Sequence, residues 1–560
     1  MVGVASFTGF FVGVAAVLFK WAILAVYDLC YDKAIGIEFG QWSLELLWIP
    51  VVLAVGGLIV GILNHYLNPA GGTGSVAEVM KWAAVDQGKI SSRVIWFRPL
   101  ASAITIGTGG SAGREGPIVQ VGAAIGSWVG KRIKASSERI RLLAGCGAAA
   151  AIAAAFNAPL GGIIFSIELI LGDFNIKVFS PLIFASVIAT VTARHMEGNV
   201  PAFQIPQYFM VSAWEIIFFV ILGLLCGLLA ALFYRVYFIV CDRVKKLKVH
   251  PILLPALGGM VVGIIAILFP DILGNGYGSM DKVLTGKMAW SLALALIFIK
   301  IIATSITIGS KGSGGKFAPA LFIGSMAGGV FGAGVNFFFP DITGPPGGYA
   351  LVGMGAVMSA VAHAPLTNIL MVFELTDNYQ VIAPIMVACI SATFMYSYFF
   401  SNSIYIEELR LRGVSIWGGR ESSIMSEIKI KDVMTKKFET IPEDMPFKKI
   451  LNLISRSKEM YFPCVDEKGR MTGVISLQDL REIMFESDLA DLVVAKELAQ
   501  EKVISLYPDE NLNDAMERFA IKDLDELPVV SRHSANKILG ILKRKDVISA
   551  YKKAIFKTSI

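Results

Sequence analysis

Histidine and cysteine are scarce in this chain of 560 residues, with 5 and 6 copies, and neither falls in a pattern that chemistry can use. The histidines (His65, His195, His250, His363, His533) are isolated, without HExxH or other ligand spacing, so a metal centre is not expected. The cysteines (Cys30, Cys146, Cys226, Cys241, Cys389, Cys464) include no CxxC pair, and most sit in apolar stretches, where they read as small buried hydrophobes. GxSxG, P-loop and paired catalytic carboxylates are missing as well, and no enzyme is expected. A net charge of +6 is too small to argue for nucleic acid and fits basic loops on one face of a bilayer. Met1 opens straight into an apolar segment whose first charge is Lys20, so no cleavable signal is expected.

Charge is also missing unevenly. Of the 50 basic and 44 acidic residues, 42 lie in the first 400 positions and 52 in the last 160. With 55% hydrophobic residues and a mean hydropathy of +0.64, the composition calls for lipid around the first part and water around the second. A single soluble enzyme, a disordered scaffold and a disulfide-stapled secreted module are excluded.

Twelve apolar stretches run between residues 4 and 400, few of them clean spans of the roughly 20 residues a bilayer needs. Several begin at glycine- or proline-bearing turns: Gly72-Thr73-Gly74, Gly113-Arg114-Glu115-Gly116-Pro117, Asn157-Ala158-Pro159 and Gly315-Lys316-Phe317-Ala318-Pro319. Lipid cannot satisfy the free N–H and C=O groups of a broken helix, so such breaks belong inside protein or along an aqueous path. The densest basic loops, around Lys131-Arg132-Ile133-Lys134 and Arg243–Lys248, face the cytoplasm by the positive-inside rule, and the stretch 196–212 then faces outside.

The chain repeats itself. TIGTGGSAGREGP at 105–117 and TIGSKGSGGKFAP at 307–319 are identical at seven of thirteen positions, and FNAPLGGIIFSIEL at 156–169 is answered by AHAPLTNILMVFEL at 362–375. Two motif pairs in one order at nearly one offset indicate duplicated halves, the build of transporters that hold their substrate at the repeat interface between broken helices. Four helix starts at such turns would present unpaired N–H donors and partial positive charge to one point, binding an anion loosely enough for throughput.

Beyond residue 412 the pattern becomes a β/α rhythm over 428–486 and again over 496–553, with Pro463 answering Pro528, Gly473 answering Gly540 and Asp479 answering Asp546. This resembles a tandem of CBS domains. Gly473-Val-Ile-Ser476-Leu-Gln-Asp479 fits their nucleotide signature, whereas the second copy keeps Asp546 but has Lys543 for the hydroxyl residue. The resemblance allows ATP or AMP, with Ser476, Asp479 and Asp546 as candidates; a purely structural dimerisation module is the alternative.

The intact GREGP at Gly113–Pro117, the GxFxP at Gly315–Pro319, Tyr405 in SNSIYIEEL, and GMGA, HAPLTN and ELTDNYQ between 353 and 380 closely resemble the CLC family of chloride channels and chloride/proton exchangers. The resemblance covers nearly the whole chain. It implies an all-α polytopic membrane domain of two inverted-topology repeats over 1–410, a linker over 411–427 and an α/β cytosolic CBS pair, assembled as a homodimer in a lipid bilayer with one anion pathway per subunit.

Carried over by position, Glu115 becomes the gating glutamate. An intramembrane carboxylate is expensive and functional by default, although Glu115 could instead pair with Arg114 or cap its helix. Chloride is implied to rest on the hydroxyls of Thr73 and Tyr405 and the backbone amides of Lys316 and Phe317, with Gly72, Gly74, Gly113, Arg114, Gly116, Pro117, Gly315 and Pro319 shaping the filter. Tyr405 could otherwise be an interfacial belt tyrosine. The Lys316 side chain reads equally as a charge enriching anions at an entrance and as a solvated loop lysine. The family's GSGIP appears here as Gly72-Thr73-Gly74-Ser75-Val76, which keeps a hydroxyl donor but loses the proline.

In coupled exchangers of this family a glutamate passes protons near the end of the helix after the NAPL turn. Here Leu169 holds that position, with Glu168 one residue before it, where it reads as a helix-end hydrogen-bonding glutamate or, alternatively, as a substitute proton carrier. Leucine carries no proton, so passive, voltage- or pH-gated conduction of chloride and other small anions is the expectation; chloride/proton exchange with altered coupling is the alternative, and a CBS-regulated cation transporter the rival from another class.

Overall fold

The structure is a computed structural model, and it describes the chain except residues 34–43, 68–73, 173–174, 199–202, 204–207, 209, 377, 415–424, 426–427, 458, 478–479, 481–492, 501–502, 523, 533–536 and 559–560. The chain divides into two compact units, Met1–Val414 and Ser415–Ile560.

Among the described residues the first unit is built of helices. Its first half comprises α1 (Val2–Asp28), α2 (Ile49–Leu67), α3 (Val76–Ala84), α4 (Val94–Gly107), α5 (Glu115–Arg132), α6 (Ser137–Phe156), α7 (Pro159–Phe165, continued by a π-helical turn Ser166–Leu171) and α8 (Ile176–Glu197). The second half answers with α9 (Glu215–Lys246), α10 (Leu254–Leu268), α11 (Tyr277–Leu284), α12 (Trp290–Gly309), α13 (Phe317–Phe338), α14 (Pro346–Ala362), α15 (Pro365–Thr376) and α16 (Ile382–Phe399), and α17 (Ile404–Arg410) closes the unit. Among the described residues eight helical stretches are long and apolar enough to cross a membrane. That is more than the apolar runs suggested, because helices such as 215–246 continue through their polar flanks.

The halves match turn for turn. Asn157 and His363 both take left-handed backbone (φ 59° and 54°) to end α6 and α14, and each is followed by Ala-Pro, whose proline opens the next helix at the position where a missing N–H costs nothing. α5 crosses α6 where Gly122 meets Gly147, and α13 crosses α14 where Gly324 meets Gly353; a Cβ on any of these would lie within 2.4 Å of the facing backbone oxygen. Small residues at these crossings let the helix backbones touch. α5 runs to the basic Lys131-Arg132 end, whereas α13 runs towards the start of α9, where the Gly344 N–H donates to Glu215 (2.6 Å). α9 in turn ends in Arg243, Lys245 and Lys246. α5 and α13 therefore leave the centre in opposite directions, as inverted repeats require. The outer faces carry exposed apolar side chains, for example Leu257, Val261, Ile264 and Leu268 along α10, the pattern of a surface against lipid.

The second unit holds two small sheets. In one, β1 (Ile441–Pro442) runs parallel to β2 (Tyr461–Val465), which pairs antiparallel with β3 (Met471–Ser476); in the other, β4 (Glu526–Val530) pairs antiparallel with β5 (Ile538–Lys543). The hairpins share a register: Gly473 faces Cys464, and Gly540 faces Val529. The lead segments cross over. Ile430 is buried in the core formed by Leu506, Phe519, Val529 and Leu542, and Ala495 in the core formed by Phe447, Phe462 and Ile475. Each module thus completes the other's interior.

Candidate functional site

Two copies of one glycine-rich turn meet at the centre of the first unit. Gly113 N–H donates to Gly315 C=O and Gly315 N–H to Gly113 C=O, both at 2.8 Å. Around this pair the threonines exchange partners: Thr307 Oγ1 accepts from Ser111 N–H (3.2 Å), and Thr105 Oγ1 from Ser313 N–H (3.1 Å). Equivalent residues bonding reciprocally define a local twofold axis, which brings the starts of α5 and α13 together. Gly74, just before α3, lies against them, since a Cβ on Gly116 would meet Gly74 O at 2.4 Å. Ser75 caps α3, its hydroxyl accepting from Ala77 N–H (3.2 Å).

Three of the four helix starts therefore converge. The fourth does not: the N–H groups of Leu160 and Gly161 at the head of α7 donate to Glu374 (2.8 and 2.7 Å). The twofold mate of this cap is Glu168, which accepts from Leu366 N–H (3.2 Å), Thr367 N–H (2.8 Å) and the Thr367 hydroxyl (2.6 Å). The two glutamates are a matched pair of helix caps. Leu169 beside Glu168 is buried.

Glu115, the first residue of α5, is fully buried. Its carboxylate accepts from the Tyr277 hydroxyl (2.5 Å) and from Ala318 N–H in the first turn of α13 (3.3 Å). Arg114 is not its ion-pair partner: the guanidinium lies over the Tyr277 ring (5.1 Å) and donates to Ala155 C=O (3.3 Å). Gly113 is glycine by close approach, because a Cβ there would come within 2.4 Å of the Glu115 carboxylate and 2.9 Å of Ala318 N.

Phe317 is buried with its ring against Phe156 (5.7 Å) and Phe165 (6.3 Å) of the first half. Tyr405, near the start of α17, is 1% exposed, and its buried hydroxyl has no hydrogen-bond partner among the described residues. A buried phenol left unsatisfied is costly. Thr73 and Gly72 lie outside the described residues.

Lys316 corrects the sequence reading. It is neither an entrance charge nor a solvated lysine: its side chain is 1% exposed, paired with Glu408 of α17 and lying over the rings of Tyr237 (4.4 Å) and Tyr405 (5.7 Å). Glu408 also accepts from Ser75 Oγ (3.0 Å) and Arg412 (2.7 Å). The chain of charges continues through Arg412 to Glu78 (3.4 Å), which takes Arg98 (3.1 Å) and Gln120 (2.7 Å). Buried charges persist when each finds a partner. The network as a whole runs from Glu78 to Arg412, and apart from the Arg412–Glu408 pair one helical turn apart no local pattern announces it.

A cavity of about 610 Å³ opens on one side of Glu115 and one of about 620 Å³ lies on the other face of the unit. They sit at opposite ends of α10: Leu254 and Pro255 line the second, whereas Pro270, past the far end, lines the first. The first carries Lys20, Arg114, Arg194 and Lys282 against Glu197 and Asp271, an excess of positive charge that concentrates anions.

In the second unit Ser476 ends β3, and Asp546 stands in the first turn of the helix Arg544–Thr558. Asp479 lies outside the described residues. Lys543 is held between Glu526 (3.2 Å) and Glu459.

A family model described as voltage gated chloride channel matches residues 55–397, and one for the CBS domain matches 430–486 and 495–553. A putative chloride channel protein ClcB-like of Ralstonia nicotianae is 35% identical over 61% of this chain and 80% of its own. The H(+)/Cl(-) exchange transporter ClcA of Vibrio campbellii is 31% identical over 72% of this chain and 88% of its own. Among solved structures, a slow cyanobacterial Cl-/H+ antiporter superposes with a TM-score of 0.68 at 27% identity, covering 73% of this chain and 97% of that one. A eukaryotic CLC transporter, 20% identical, shares the fold over 97% of this chain and 98% of its own with a TM-score of 0.64.

Proposed function

The chain belongs to the voltage gated chloride channel family, carries two CBS domains after its membrane unit, and on that premise we propose that it conducts chloride passively across a bilayer through a gate formed by Glu115. The observation that carries the gate is the seat of the Glu115 side chain: a fully buried carboxyl group on the Tyr277 hydroxyl and the Ala318 amide where two inverted helix starts meet. These are the uncharged donors a dehydrated halide would use. Chloride enters from the cavity rich in arginine and lysine and displaces the carboxylate. It then passes to the amides at Lys316 and Phe317 and to the Tyr405 hydroxyl, to which the family pattern adds the hydroxyl of Thr73, and leaves through the second cavity. No lysine holds it, because Lys316 is already neutralised by Glu408.

Channel-like conduction follows from Leu169, which leaves the family's proton position without a titratable group. Exchange is the second reading, favoured by relatives and a structural neighbour described as proton/chloride exchangers. Proteoliposomes separate them: under a chloride gradient the channel reading expects chloride flux with no uphill proton movement, and chloride-driven proton uptake would overturn it.

We further place the CBS pair in the cytoplasm, with an adenine nucleotide, ATP or AMP, at the first copy only. Lys543 of the second copy is committed to two carboxylates, a poor setting for a phosphate. The protein is taken to be a homodimer. Calorimetric titration of the full chain with ATP and AMP expects one site per subunit; no heat would leave the pair a structural module.

A further inference from the structure

Tyr277 belongs to no motif, yet the structure spends several contacts on aiming it. It opens α11 behind the turn Gly274-Asn275-Gly276, whose glycines have φ of +59° and +81°. That turn is pinned by Lys300, a fully buried lysine on α12 whose Nζ donates to the carbonyls of Ile272 (2.8 Å) and Gly274 (3.0 Å) and lies over the Phe322 ring (4.8 Å). Gly274 N–H is tied to Gly109 C=O (3.0 Å). The tyrosine ring itself sits between the Arg114 guanidinium (5.1 Å) and the buried Phe203 ring (4.8 Å). Tyr277 lines the first cavity, and its hydroxyl reaches the Glu115 carboxylate.

A phenol fixed this firmly does not follow the carboxylate when the glutamate withdraws. Its O–H and the Ala318 N–H would be left as two donors around one vacated acceptor position, next to a cavity already enriched in anions. Unsatisfied buried donors are costly, so the position recruits an acceptor. We propose that Tyr277 is an anion-coordinating residue: the hydroxyl that holds Glu115 in the closed state becomes a ligand of chloride at the outer end of the pathway when the gate opens, with Lys300 as the positioning residue that fixes its loop. The inference rests on the gate reading of Glu115. It makes the pathway one with a phenol at either end, Tyr277 outside and Tyr405 inside, each donating a single uncharged hydrogen bond.

The test is a chloride titration by calorimetry on the purified full chain in the Glu115→Ala background, where no carboxylate competes. Adding Tyr277→Phe weakens chloride binding by about tenfold, the loss expected for one hydrogen bond to a charged group. An affinity unchanged within about twofold would reduce Tyr277 to a latch for the glutamate and overturn the proposal. Incorporating a singly fluorinated tyrosine at 277, which keeps the ring and strengthens the donor, tightens chloride in the same background; no change there counts equally against it and serves where Tyr277→Phe does not fold. If Glu115→Ala itself leaves the pH and voltage dependence of flux intact, the failure lies with the gate reading and not with Tyr277.

Discussion

The two copies of the central turn share a backbone and differ in charge. Gly113 and Gly315 exchange identical hydrogen bonds, and Thr105 and Thr307 do the same for the neighbouring serines. Two positions on, the first copy carries Glu115 and the second Phe317; one position on, Arg114 lines the first cavity and Lys316 is buried against Glu408. Duplication supplies the donors, because it brings two helix starts to one point. Divergence separates the copies: only the first places a carboxylate at this point, and the other buries its cation in a pair with α17.

The largest effect should come from erasing that asymmetry at Glu115. Glu115→Gln keeps the shape and removes the competing anion, so flux measured across pH and voltage should lose its dependence on both. In the wild type flux should rise as pH falls, since protonation weakens the carboxylate's hold on its donors; the glutamine variant should sit at the acid value throughout. A retained pH profile would mean that the difference between the copies is not what gates.

Next come the two cations. Lys316→Met leaves Glu408 buried with only Arg412 and Ser75, and should cost about 3 kcal/mol, the low end for breaking a buried pair because two partners remain. Arg114→Met loses a contact over the Tyr277 ring at a site facing a cavity, worth about 1 kcal/mol or less. Denaturant unfolding of the detergent-solubilised chain measures both. Equal costs would say that the lysine's burial carries no energetic weight, and a double variant with Glu408→Gln should recover part of the Lys316 loss.

What the sequence made legible follows from range. The repeat, the helix starts at Glu115 and Phe317, the Asn157 and His363 turns and the two CBS modules are all written in runs of a dozen residues, and the local backbone obeys them. Glu168 was readable as a helix-end glutamate, but its mate Glu374 and the exchange of caps between halves needed the fold. Lys316 was misread because its partner lies 92 residues away. Tyr277 carried no signal beyond its flanking glycines. Lys300 did carry one, a lone charge inside the apolar run 289–308, and a buried cation there demands carbonyls or carboxylates from elsewhere. The crossing of lead segments between the CBS modules is likewise invisible, since each segment is apolar enough to suit either core.

The matched caps test whether the halves are equivalent where charge is not at issue. Glu168→Ala and Glu374→Ala each remove acceptors for two backbone N–H groups and should each cost about 1 to 2 kcal/mol. Glu168 should lie at the upper end, because it also holds the Thr367 hydroxyl. A large disparity would mean that one half dominates stability and that the symmetry is only geometric.

The smallest effect belongs to a charge in water, and it isolates burial as the reason the central pairs matter. Asp466, at the tip of the β2–β3 hairpin, accepts from Arg470 N–H (2.8 Å) and Lys468 N–H (3.0 Å), and its other oxygen from the solvent-facing Arg470 guanidinium (2.7 Å). The Arg470 amide first, then its guanidinium, hold the carboxyl below the usual aspartate range. A carboxyl lowered in the folded state contributes stability above its unfolded pKa, about 3.9, and that contribution disappears as pH falls through the folded value. Acidification below about pH 4 should therefore loosen the CBS unit slightly, and Asp466→Asn should flatten that part of its stability profile while leaving neutral-pH flux unchanged. Because the pair is screened by solvent, the change should be far smaller than that of Lys316→Met. If the two were alike, the cost at the centre would come from hydrogen bonding alone and not from taking a charge out of water.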